Sequence, residues 1–277
     1  MSDLIHDIQK DPTKSICSDD EDKEFEDDET TDPHEIEEFN DWARKQAQKD
    51  LSKFKDFVNI SNIDELRSNI ASLNDQQRKL FDDVIERIIS ENSNEKTFYL
   101  FITGNAGTGK SHLVKILAEA TKLVKLKSGD DLKKPSILMM APTANAAFII
   151  GGRTIDSILG FSPMDQRNYV QSDPARMSQM KFQYEDVDVI FIDEISMVGS
   201  SKLSKIHFRF QDFADGANKT KFMGGISVIA VGDFWQLPPI CDNFITDNNS
   251  LDGRPKFAPS HWKENFKIYY LTQKMRN

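Results

Sequence analysis

The chain has 277 residues, 35 Lys+Arg against 45 Asp+Glu, and a formal net charge of −10, a balance that taken alone argues against a nucleic-acid binder. A 38% hydrophobic content with 19 Phe excludes a wholly disordered chain. No apolar run reaches the roughly 18 residues of a membrane helix, and the N-terminus lacks the basic-then-apolar pattern of a secretory signal. The charge is unevenly placed. Residues 1–40 hold 16 acidic and 3 basic residues, net −13, which leaves 29 acidic and 32 basic residues, net +3, over 41–277. Cys17 and Cys241 are far apart and belong to no metal-ligand pattern, so a reducing compartment is the default.

In chain order, the like-charge run 18–31 predicts an acidic disordered tail over 1–33. Ile36, Phe39, Trp42, Ala43, Ala47, Leu51 and Phe54 then recur at spacings of three and four, which predicts a helical N-terminal extension over 34–62. Arg44, Lys45, Lys53 and Lys55 read as its solvated face. A second helix follows Asn74, with Leu80, Phe81, Val84, Ile85, Ile88 and Ile89 on one side. From here the period changes. Short apolar runs at 97–103, 136–140, 187–192 and 226–231 read as buried strands and 267–271 as another possible strand, with helices at 111–123, 144–150 and 200–213 between them. Such alternation implies an α/β domain over 63–277: a parallel sheet with helices on both faces. The polar stretches 127–134, 162–183 and 242–254 read as surface insertions, Phe208, Phe210 and Phe213 as core, and His207 and His261 as isolated histidines.

Gly104-Asn105-Ala106-Gly107-Thr108-Gly109-Lys110-Ser111 matches G-x-x-x-x-G-K-[ST] between a strand and an amphipathic helix. Its glycines let backbone N–H groups turn inward on phosphate oxygens, Lys110 brings a charge to the β/γ-phosphates, and the Ser111 hydroxyl suits Mg²⁺. The following helix adds its N-terminal dipole. A second strand ends in Asp193-Glu194. Beside a phosphate loop, Asp193 is suited to the Mg²⁺ shell and Glu194 to activating water, which favours a hydrolase over a kinase. A third strand runs into Gly232-Asp233-Phe234-Trp235-Gln236, where Gln236 can sense a γ-phosphate; Phe234 and Trp235 also fit simple packing. Upstream, an amide in Asn74-Asp75-Gln76-Gln77 can read adenine, although a plain helix cap at Asn74 fits equally well.

Together LNDQQ, GNAGTGKS, APTANAAFIIGGRTI, IFIDEISMV, GDFWQLPP and LTQKMR, in this order over about residues 70–277, resemble the Pif-type (petite integration frequency) DNA helicases of superfamily one, in the variant linked to helitron transposons. The resemblance implies a first RecA-like P-loop domain that hydrolyses ATP with Mg²⁺ and moves 5′ to 3′ on single-stranded DNA. It also implies service in DNA repair, recombination, telomere maintenance or transposon replication; a nuclear location is the expectation, with mitochondrial or cytoplasmic placement as alternatives. Residue by residue it makes Gln77 the adenine reader, Lys110 and Ser111 the phosphate and magnesium ligands, and Asp193 and Glu194 the catalytic pair. Gln236 becomes the γ-phosphate sensor and Arg276 an arginine-finger-like group, while Thr143 and Thr154 touch the DNA backbone. Two departures stand out. Asp156 occupies a position where the family carries His, and a carboxylate there is expected to repel DNA phosphate. The chain also stops at Asn277, where a second RecA-like domain should begin, so weak ATPase and no unwinding are expected of these 277 residues. A DNA-independent ATPase switch and a non-catalytic ATP- or DNA-binding remnant are the competing readings.

Overall fold

The computed structural model describes residues 63–89, 97–125, 134–162, 169, 171–240, 242–246 and 262–275, all within one compact unit, Lys53–Asn277. The acidic tail, the 34–62 extension, both cysteines, His261 and Arg276 lie outside the described residues.

Chain order runs α1 (Ile63–Ala71), α2 (Asp75–Ile89), β1 (Tyr99–Gly104), α3 (Lys110–Lys125), β2 (Ile137–Ala141), α4 (Ala144–Ile149), β3 (Arg153–Thr154), α5 (Ile155–Leu159), α6 (Pro174–Gln183), β4 (Val189–Ile192), α7 (Ser200–Phe213), β5 (Ser227–Val231) and β6 (Phe266–Leu271). The six strands form one sheet in the order β3-β2-β4-β5-β1-β6, every pairing parallel. Every residue of β4 and β5 is buried, as apolar runs covered on both faces require. Alternate residues feed two cores. Leu100, Ile102, Phe191, Ile229 and Val231 pack with Leu80, Val84, Leu113 and Leu117 of α2 and α3. Phe101, Ile190, Ile192, Val228 and Ala230 pack with Ile155, Met180, Leu203, Ile206 and Phe210 from α5, α6 and α7 on the opposite side. The α/β, helix-on-both-faces architecture is therefore the observed one.

All five sequence-predicted strands form, with ends shifted by a residue or two. The structure corrects three other readings. The 162–183 stretch contains α6, which starts on an Asp173 cap with Pro174 at its first turn and buries Met180. Its weak apolar periodicity hides it, because only one residue reaches the core. The 242–254 stretch begins with a docked segment. Asp242 accepts hydrogen bonds from Ser201 N (3.2 Å) and Lys202 N (3.1 Å), capping α7 from a distance, and Ile245 is fully buried. Finally, Phe208 is 36% exposed against Tyr169 and His207, whereas Phe210 and Phe213 are core. His207 is buried and accepts a hydrogen bond from Met223 N at 3.0 Å, a packing role.

Candidate nucleotide and nucleic-acid site

The sheet order brings the motifs together. β5 lies between β1 and β4, and all strands point the same way, so the loops after β1, β4 and β5 leave one edge side by side. Gly107 and Gly109 of the phosphate loop have φ of +84° and +77°, which their lack of Cβ permits. A Cβ on Gly109 would also come within 2.6 Å of Gln77 Nε2. Thr108 pins the turn, its Oγ1 donating to Asn105 O at 2.9 Å. Lys110 Nζ donates to the Gly104 and Asn105 carbonyls at 2.5 and 3.2 Å, holding the charge over the loop at the N-terminus of α3.

Across the cleft, Ser111 Oγ donates to Asp193 Oδ2 at 3.4 Å, and Glu194 N donates to Asp193 Oδ1 at 3.0 Å. Asp193 is only 4% exposed; burial pushes its carboxyl above the usual carboxylate range against the opposing pull of the Glu194 amide, Ser111 and Lys110. Glu194 is raised as well, first by burial and then by repulsion from Asp193, with Asp233 adding and Lys110 opposing. Its backbone is left-handed, φ 51° and ψ 45°, a costly conformation for a side chain other than glycine and of the kind found at functional sites. Serine hydroxyl and carboxylate form a hard-oxygen donor pair that fits Mg²⁺, an ion that takes one or two protein oxygens and completes its shell with phosphate and water.

Two glutamines flank the phosphate loop and the third strand's exit. Gln77 is fully buried. Gln77 N donates to Asn74 Oδ1 (2.9 Å) while Gln77 Oε1 accepts from Asn74 N (3.2 Å), a reciprocal capping box at the start of α2. Its Nε2 donates to Thr108 O at 3.0 Å, bracing the phosphate loop from inside. The helix-cap reading at Asn74 is therefore the observed one, and Gln77 sits between that cap and the phosphate loop. Gln236 is exposed, with Nε2 on Asp233 Oδ2 at 3.3 Å, so Asp233 orients the proposed sensor. Of its neighbours, Phe234 packs on Phe101 and Trp262, while Trp235 is 70% exposed. Asp233 was legible only as part of the third strand's exit.

Thr143 and Thr154 lie at the same edge, beyond β4 from the phosphate loop. Ala141 of β2 pairs in register with Thr154 of β3. Each threonine caps a short helix, accepting from Ala146 N (3.3 Å) and Ser157 N (3.2 Å), which leaves each hydroxyl proton to donate outward. The Asp156 carboxylate is ion-paired with Lys202 of α7. The carboxylate expected to repel DNA phosphate is thus paired with a lysine that nothing in the sequence marked.

A family model described as PIF1-like helicase matches residues 72–277. The ATP-dependent DNA helicase PIF1 of Candida albicans is 34% identical over 169 residues, 60% of this chain and 17% of that protein. The crystal structure of Pif1 helicase from Candida albicans superposes with a TM-score of 0.54 at 26% identity, covering 73% of this chain and 40% of that one. Bacteroides Pif1 bound to ssDNA gives 0.50 at 27% identity over 74% of this chain and 43% of that one. The chain thus spans less than a fifth of the Candida relative and less than half of each solved helicase. Among the described residues no helix is long and apolar enough to cross a membrane. With phosphate loop, strand-end carboxylates and two helix-capping threonines on one sheet edge, and the family match running over more than half its length, the chain belongs to the PIF1-like helicase family.

Proposed function

We propose that these residues form the ATP-hydrolysing RecA-like half of a DNA helicase motor working on nuclear DNA, 5′ to 3′ along a single strand. The observation that carries this reading is the approach of Ser111 to Asp193, 3.4 Å apart, with Glu194 next in chain and Lys110 opposite. In this reading the loop amides and Lys110 bind the phosphates, and Ser111 and Asp193 hold Mg²⁺, which neutralises phosphate charge when bound. Glu194 takes the proton of the attacking water, and Gln236, oriented by Asp233, contacts the γ-phosphate. Arg276 supplies a second cation there. Thr143 and Thr154, at β2 and β3 beyond β4, donate to DNA phosphates, a choice supported by the single-stranded DNA named in the Bacteroides structure. A second RecA-like unit closing on this edge completes both tracks.

The test is ATP hydrolysis by the 277-residue chain with and without single-stranded DNA, using Lys110→Ala as control. Turnover that DNA stimulates and Lys110→Ala removes supports the motor. Turnover indifferent to DNA points instead to a DNA-independent switch, and binding without turnover points to a remnant.

The Asp156–Lys202 pair gives a separate expectation. Asp156→Ala frees the lysine for phosphate, so single-stranded DNA should bind tighter at low salt. The plot of log K against log salt should steepen by about 0.7, the contribution of one added phosphate contact. Fluorescence anisotropy at several salt concentrations reads this directly; an unchanged slope would place Lys202 off the DNA path.

A further inference from the structure

The segment leaving β6 crosses the phosphate loop. Met275 N donates to Gly107 O at 2.9 Å, and Asn74 Nδ2 reaches Met275 Sδ at 3.1 Å. The Met275 side chain lies on Gly109, where an added Cβ would come within 3.0 Å of its Cγ. This strap needs an anchor, because among the described residues β6 is the edge strand and its outer backbone groups have no ladder partner. Gln76 provides one. Its Nε2 donates to Tyr270 O at 2.7 Å, and its Oε1 accepts from Thr272 N at 2.9 Å and Gln273 N at 3.2 Å. One amide, using donor and acceptor together, satisfies three backbone groups at the strand's end.

The next residue, Gln77, holds the loop itself through Thr108 O. The first turn of α2 therefore grips both layers: Gln77 the phosphate loop, Gln76 the strap over it. We propose that Gln76 is a positioning residue that sets the 272–275 strap on the phosphate loop, so that nucleotide binding is transmitted to Arg276, the next residue in the chain. This inference rests on the nucleotide-binding reading above. Because Gln76 touches the strap and not the phosphate-binding amides, it acts on turnover more than on affinity.

Gln76→Ala in the 277-residue chain should leave the affinity for a fluorescent ADP analogue within about threefold while kcat falls on the order of tenfold to a hundredfold, the usual scale for a misplaced group. Gln76→Glu keeps the acceptor for Thr272 and Gln273 but loses the donor to Tyr270 O, and should turn over faster than Gln76→Leu, which keeps neither. Hydrogen exchange at the Thr272 and Gln273 amides should quicken in Gln76→Ala without nucleotide. In the unsubstituted chain nucleotide should alter exchange at Met275, and Gln76→Ala should abolish that response. Unchanged kcat in Gln76→Ala, equal rates for the Glu and Leu variants, or exchange indifferent to the substitution would each overturn the proposal. Failure of the parent reading looks different: the unsubstituted chain then binds no nucleotide, whatever the exchange at Thr272 and Gln273 shows.

Discussion

Glu194→Gln should lower ATP turnover by about 10²- to 10⁴-fold, the contribution of a positioned general base, with nucleotide affinity changed by no more than a few-fold. The amide has the length and shape of the carboxylate, so the left-handed backbone at this position (φ 51°) carries no new strain. What disappears is the site that accepts a proton. Burial and the negative charge of Asp193 hold the Glu194 carboxyl above its ordinary range, with Asp233 pressing the same way, so it is a stronger base than an exposed glutamate. Removing that charge relieves repulsion against two neighbouring carboxylates, which is why nucleotide binding survives. Phosphate release at saturating ATP, beside a nucleotide titration, separates the two effects. A variant retaining more than about a tenth of the rate, far above the loss general-base removal produces, would take water activation away from Glu194.

Phe191→Ala should destabilise the domain by about 3–5 kcal/mol, a large part of the 5–15 kcal/mol that holds a typical domain together. Phe191 sits at the centre of β4, fully buried, in register with Met139 of β2 and Ile229 of β5. Its ring belongs to the core shared with α2 and α3, and rigid strands on either side limit how far the cavity can collapse. It also lies two residues before Asp193, so whatever relaxation occurs is felt at the carboxylate edge. Urea denaturation followed by circular dichroism should show a lowered midpoint. A loss under about 1 kcal/mol would mean that the two faces repack freely around the missing ring. Phe208→Ala, on the exposed side of α7, is the matched control and should cost far less.

Much of this architecture was legible before any coordinates. β1, β2, β4 and β5 announce themselves as short apolar runs, since strands covered on both faces leave no polar alternation, whereas the edge strand β6 buries only Phe266 and Leu271. α7 starts and ends where its periodicity does, at Ser200 and Phe213. α6 escaped because its burial rests on Met180 alone, and β3 because two residues carry no period at all. Asp242 capping α7 escaped for another reason: a cap taken from 40 residues away leaves no local signature.

The site divides along the same line. Within one short stretch, the sequence by itself determined the phosphate loop, because glycines at fixed offsets, a lysine and a hydroxyl meet requirements that neighbouring residues can satisfy alone. It also marked each strand end that carries a polar group, at Asp193, Glu194 and Gln236. Only the tertiary structure decided what these groups meet. Placing β5 between β1 and β4 brings Ser111 to Asp193 across 82 residues of chain. The same packing pairs Asp156 with Lys202, joins Gln77 to Thr108, and brings Gln76 to a strap nearly 200 residues downstream. Local conformational demands are written in consecutive residues, whereas the partner of a side chain depends on strand order and depth of burial, which arise only when the whole sheet assembles.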